Sequence, residues 1–152
     1  MHKILRHASR LAAAIACAFV MSAPAAHSAS PPEITVWKSP TCDCCANWVE
    51  HLRANGFRVT VELREDLASV KSALGVPAAL HGCHSAKVDR YAIEGHVPAA
   101  DIKRLLERRP VATGIAVPGM PVGSPGMEAG GRKDRYQVVL FGPSGLSVWA
   151  QH

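Results

Sequence analysis

Three thiols stand in one short stretch, Ser39-Pro40-Thr41-Cys42-Asp43-Cys44-Cys45. A strand-like run, Ile34 to Lys38, precedes it, and a helix-like run follows from Ala46 toward Ala54. A strand-to-helix turn exposes side chains at the end of a sheet, and a helix start favours thiolate over thiol. The chemistry on offer is soft-metal ligation or thiol exchange. Cys42 and Cys45 have the C-x-x-C spacing of a redox pair. Cys44 between them is a wrong partner for exchange and an extra ligand for a metal. Thiolates bind soft metals, and a thiolate can bridge more than one ion, so a copper(I) site or cluster fits, with Cys83 as fourth sulfur. Met120 and Met127 supply thioethers, which suit copper(I), and are equally readable as packing residues.

Zinc accepts the same thiolates and imidazoles, so a structural zinc site is a further reading. Cys83 could equally be a resolving thiol or a buried structural one. His51, His84 and His96 each have a surface or structural hydrogen-bonding role available. His84 is preferred as a ligand because it adjoins Cys83. Glu94 and Asp101 have ordinary solvated or capping explanations, so no paired-carboxylate site is expected. Ser39 and Ser85 lack an evident base, and no phosphate-binding glycine motif is present. No hydrolase is indicated.

The elements that position these residues follow from periodicity. In the first helix, Cys44, Trp48 and His51 share a face, with Trp48, Val49 and Leu52 on the core side. Asn55-Gly56 stops it. Phe57 to Leu63 alternates as a strand. Glu65-Asp66 opens a second helix whose apolar face is Leu67, Val70 and Leu74. Val76-Pro77 leads into a short apolar piece, Ala78-Ala79-Leu80, and His81 to His84 fall at a turn or strand margin. Tyr91 to Ile93 reads as a further strand. Pro98 to Arg109 reads as a third helix, with Asp101 early and Arg104, Arg108 and Arg109 late. The order strand, helix, strand, helix, strand, strand, helix makes a small α/β sandwich with the first two strands parallel. In Ile115 to Gly131 the glycines and prolines exclude a regular helix or central strand. Tyr136 to Phe141 and Leu146 to Trp149 form a hairpin expected to clamp the methionine loop against the main sheet.

The 152 residues suit one domain after a leader. Lys3, Arg6 and Arg10 precede the apolar run Leu11 to Met21, and small residues follow to Ser28. That is the pattern of a cleaved secretory signal peptide, residues 1–28, too short in its apolar run to span a membrane well. Cys17 leaves with it. The formal charge of +5 falls as well: 17 basic side chains become 14, against 12 acidic, a balance of +2. Without a dense basic patch, nucleic acid is not an expected partner. Of five cysteines, four remain. An exported protein can hold disulfides, but crowding three of four into one turn is a poor structural framework.

Taken together, Cys42-Asp43-Cys44-Cys45 with Trp48, Gly75-Val76-Pro77, Cys83-His84-Ser85-Ala86 and Glu94-Gly95-His96-Val97-Pro98 resemble a known family. So do Ala116-Val117-Pro118-Gly119-Met120-Pro121 and Gly123-Ser124-Pro125-Gly126-Met127-Glu128. The family is that of the small bacterial envelope proteins related to CopG, long labelled as of unknown function. The resemblance implies a thioredoxin-like α/β sandwich with a central mixed sheet, here spanning 29–152 with 111–152 as a C-terminal extension. It implies a periplasmic protein of copper homeostasis or resistance. Its site residues would be Cys42, Cys44, Cys45 and Cys83, with Met120 and Met127 as participants, and His84 is added to them from its place beside Cys83. Copper is the expected cofactor, and other periplasmic copper-handling proteins the expected partners of a monomer free of the membrane. The alternatives are a thiol-disulfide oxidoreductase using Cys42 and Cys45, and the structural zinc protein. One geometric question stands: a strand following Pro77 could carry Cys83 away from the other cysteines unless it is short or folds back.

Overall fold

The computed structural model describes residues 31–152. The expected signal peptide and Cys17 lie outside the described residues. β1 (Glu33–Lys38), α1 (Asp43–Ala54), β2 (Arg58–Leu63) and α2 (Leu67–Ala73) come first. A 3-10 turn at Ala78–Leu80 leads to β3 (Ser85–Val88), β4 (Tyr91–Glu94) and α3 (Ala99–Arg108). The chain ends with β5 (Gly114–Ala116), β6 (Gln137–Gly142) and β7 (Gly145–Gln151). All seven strands join one mixed sheet in the order β2-β1-β3-β4-β5-β6-β7. β1 and β2 are parallel, as are β4 and β5; the other neighbours are antiparallel. The α/β sandwich with a mixed sheet and a terminal hairpin is the expected fold.

Alternation along the strands divides the interior in two. Ile34, Val36, Ala86, Val88, Ile93 and Ile115 face α1 and α3, where Trp48, Leu52, Ile102 and Leu105 are fully buried. Burying each of these large apolar side chains is worth roughly 1.5–3 kcal/mol. Ala92, Ala116 and Phe141 face the other way and meet Val76 and Leu80, which follow α2. Asp66 caps α2, accepting from the backbone N–H groups of Ala68 and Ser69.

Three expectations are corrected. Ala78–Leu80 is a 3-10 turn after Pro77, and the third strand is the following Ser85–Val88. That segment alternates, and it forms a hairpin with β4. Second, Gly114–Ala116 is a central strand, paired on both sides, because the prolines begin only at Pro118 and leave its N–H groups intact. Third, Glu94 and Asp101 are buried, not solvated. Asp101 accepts from Arg104 at 2.8 Å and pairs with His152 Nε2 at 2.7 Å. The C-terminal hairpin widens the sheet, and the methionine loop is held by the segment before it: the Asp134 backbone N–H donates to the Val122 carbonyl at 2.9 Å, and the Asp134 carboxylate accepts from the Val122 N–H at 3.1 Å.

Candidate metal centre

Sheet register brings the site together. Cys42 is the N-cap of α1, just beyond the end of β1, and Cys44 and Cys45 lie in the first helical turn. β3 runs antiparallel to β1, with Ser85 opposite Trp37. The residues just before β3 therefore lie beside those just after β1. Pro77 does not carry Cys83 away, since the chain returns through the 3-10 turn before the short strand starts. Likewise Ser85 opposite Glu94 puts Cys83 and His84 against Gly95 and His96. Glu94 is level with Ala116 in β5, so the methionine loop leaves the sheet at this same end.

The four sulfurs of Cys42, Cys44, Cys45 and Cys83 lie within 4.8 Å of one another. Cys42 and Cys45 form a disulfide, and Cys44 and Cys83 are free. Cys44 Sγ is 3.5 Å from Cys42 Sγ, and Cys83 Sγ is 3.4 Å from Cys45 Sγ. The disulfide is thus flanked by a thiol at each end.

A second group, Cys83, His84 and His96, shares the Cys83 sulfur. His96 Nδ1 lies 2.8 Å from the Pro125 carbonyl, which can only accept, so Nδ1 carries the proton. Nε2 then turns its lone pair to Cys83 Sγ at 3.1 Å. His84 Nδ1 is 3.4 Å from the same sulfur, while its Nε2 is buried without a partner. His84 packs against Trp48 and meets His96 edge-on. Trp48 donates from Nε1 to the Val97 carbonyl at 2.8 Å.

Burial sets the electrostatics. It pushes the Cys83 thiol up to about 12, with the neighbouring Cys44 adding to the effect. Burial also holds His84 well below the ordinary imidazole range, reinforced by His96 and Lys71. His96 is lowered for the same first reason, partly offset by its bond to Pro125. The imidazoles are neutral near pH 7 and free to act as ligands or proton acceptors.

The loop closes over this end of the sheet. Gly126 has φ +83, and a Cβ there would come within 2.8 Å of Cys44 O and Trp48 N. Only glycine lets the loop lie on the first turns of α1. Met127 follows at half-buried depth, whereas Met120 is 53% exposed and not enclosed. Gly95 makes a comparable approach, since its Cβ would meet Val117 O at 2.5 Å.

The four cysteines and His84 therefore converge, and His96 joins them, although its sequence reading favoured a surface or structural hydrogen-bonding role over ligation. Its signal was present in Glu94-Gly95-His96-Val97-Pro98, but its direction depends on the β3–β4 register. His51 does not turn to the thiols; its Nε2 accepts from Ala99 N–H at 3.1 Å and caps α3.

A family model described as a protein of unknown function, DUF411, matches residues 80–127. That span holds Cys83, His84, His96 and both loop methionines. No curated protein sequence matches the chain. Two solved forms of a protein called copper resistance protein CopG are each 52% identical to it, over 80% of this chain and 98% of theirs. Their TM-scores are 0.77 and 0.76. At that identity, over nearly the whole of the relative, this chain belongs to the CopG family.

Proposed function

We propose that this protein binds copper(I) in the periplasm and serves copper homeostasis or resistance, holding one or more ions through Cys42, Cys44, Cys45 and Cys83. His84, Met120 and Met127 complete the set expected from the sequence, and His96 is added from its position. The observation that carries the reading is the packing of four sulfurs within 4.8 Å. Soft sulfur donors so close together suit copper(I) bridged by thiolates better than a hard cation. The name of the solved relatives favours copper over zinc. Among the described residues no helix is long and apolar enough to cross a membrane.

The disulfide defines two states of the site. Reducing Cys42–Cys45 takes two electrons and two protons and yields four thiols for copper(I). In the opposite direction, the dithiol can give two electrons to two copper(II) ions, forming the disulfide and releasing two protons. Redox change or transfer of copper would both use this step.

A second reading, thiol-disulfide exchange, is favoured by Cys83 Sγ standing 3.4 Å from Cys45 Sγ. His96 Nε2 takes the Cys83 proton, the Cys83 thiolate attacks Cys45, and Cys42 leaves as a thiolate at the helix start. The high thiol pKa of Cys83 opposes this route.

The deciding experiment is anaerobic titration with copper(I) against a competing chelator, counting retained ions. Several tightly held ions, lost in Cys44→Ser and weakened in Met120→Ala, are expected. Failure to compete for copper, with a Cys42–Cys45 disulfide that cycles reversibly, would replace the copper reading with exchange.

A further inference from the structure

A buried ion pair lies beneath the site on the opposite face of the sheet. Glu94 is fully buried at the end of β4. Its Oε1 accepts from Lys71 Nζ of α2 at 2.5 Å and from the Gly82 backbone N–H at 2.6 Å. Its Oε2 accepts from Ser85 Oγ at 2.5 Å. Lys71 Nζ also reaches Ser85 Oγ at 3.1 Å. Gly82 and Ser85 are the two residues that bracket Cys83-His84. One carboxylate therefore grips both ends of the dipeptide that brings a sulfur and an imidazole to the site.

We propose that Glu94 is a positioning residue that clamps the Gly82–Ser85 segment and so fixes the Cys83 sulfur against Cys45 and His96. Its role in copper binding rests on the reading above; its role in placing the sulfur does not. An apolar side chain would fill the space without burying a charge. It could not take the Gly82 N–H, the Ser85 hydroxyl and the Lys71 ammonium together. Glu94 lies two residues before His96, so the same strand end sets both the Cys83 sulfur and its imidazole partner. Lys71 balances the charge and donates into the network. A shift of Cys83 by one ångström would leave it outside the 3.4 and 3.1 Å contacts it now makes.

The test removes copper from the question first. In a Cys42→Ser, Cys44→Ser background, Cys45 and Cys83 are the remaining thiols among the described residues. Equilibration with glutathione forms their disulfide and converts one oxidised glutathione to two reduced ones, so the equilibrium reads the effective concentration of one thiol at the other. Glu94→Gln should lower that value at least about tenfold, and Glu94→Gln with Lys71→Met, which leaves no unpaired lysine charge, should do the same. Ser85→Ala, which keeps the Gly82 arm, should lower it less. Circular dichroism and thermal melts select the variants that remain folded; if both Glu94 variants unfold, Ser85→Ala decides. A folded variant that keeps the parent value within a factor of two overturns the clamp. The second readout is copper(I) affinity with all four cysteines present, where Glu94→Gln should cost roughly 10–100-fold. Parent protein that fails to bind copper sinks the copper reading alone, while parent and variant binding equally well sinks the clamp.

Discussion

Cys83 Sγ lies 3.1 Å from His96 Nε2, an imidazole nitrogen left without a proton because Nδ1 is committed to the Pro125 carbonyl. The two residues come from opposite ends of a hairpin and meet because β3 and β4 are in register. A sulfur facing a preset lone pair is an arrangement ready for a shared ion or a shared proton. His96→Gln should lower copper(I) affinity at least about tenfold, measured by chelator competition, while Cys44 stays reactive to alkylation. Unchanged affinity would remove His96 from the ligand set.

Copper uptake should grow stronger with pH. The Cys83 thiol, pushed up to about 12, must lose its proton to become a ligand. Chelator competition at two pH values should show a gain that Cys83→Ser reduces. The same raised value has a stability consequence. The folded chain holds this proton more tightly than the unfolded one, so the contribution is complete below the ordinary thiol value of 9.0 and is lost as pH climbs toward about 12. Denaturation of the metal-free protein across that window should show a decline that Cys83→Ser flattens. Equal slopes would contradict it.

Acid acts through the imidazoles. His51, His84 and His96 are all lowered, by burial first. Folding disfavours their protonated forms, so stability is complete above the ordinary imidazole value of 6.5 and falls below it. For fully buried His84 the limiting slope is about 1.4 kcal/mol per pH unit. Chemical denaturation at pH 7 and pH 5 should show the loss, and His84→Gln should lessen it. A parent stability that does not change between those pH values would show that the histidines are not held neutral.

Gly126→Ala places a methyl group where Cys44 O and Trp48 N already stand and strains a backbone at φ +83. The expected cost is about 2 kcal/mol or more, seen as a lowered melting temperature. Because the loop would lift from α1, copper(I) affinity should fall as well. A variant with parental stability and affinity would mean that the loop need not lie on the helix.

The legible parts of the molecule were those with local causes. Alternation in Val59 to Leu63, the apolar face of Trp48, Val49 and Leu52, and three crowded thiols at a strand-to-helix turn each state their role within a few residues. The motif set from Cys42 to Met127 carried the family. Register was not legible, and the errors trace to it. Glu94 read as solvated because its partner Lys71 lies 23 positions away on another element. His96 read as a surface or structural histidine because nothing local says that Cys83 faces it. Ile115 and Ala116 read as part of the glycine- and proline-rich stretch that excludes a central strand, until β4 and β6 supplied partners on either side.

The four cysteines also differ in when they can meet. Cys42 and Cys45 are three positions apart, while Cys83 reaches Cys45 across 38 and depends on β1, β3 and β4 having paired. Short loops close in well under a microsecond, and sheet pairing between distant segments is slower. In an oxidising compartment Cys42 and Cys45 can therefore be joined with or without the sheet, whereas any bond to Cys83 must await it. A chain oxidised there early brings Cys83 to a turn already closed, and it needs a reductant before all four sulfurs can serve.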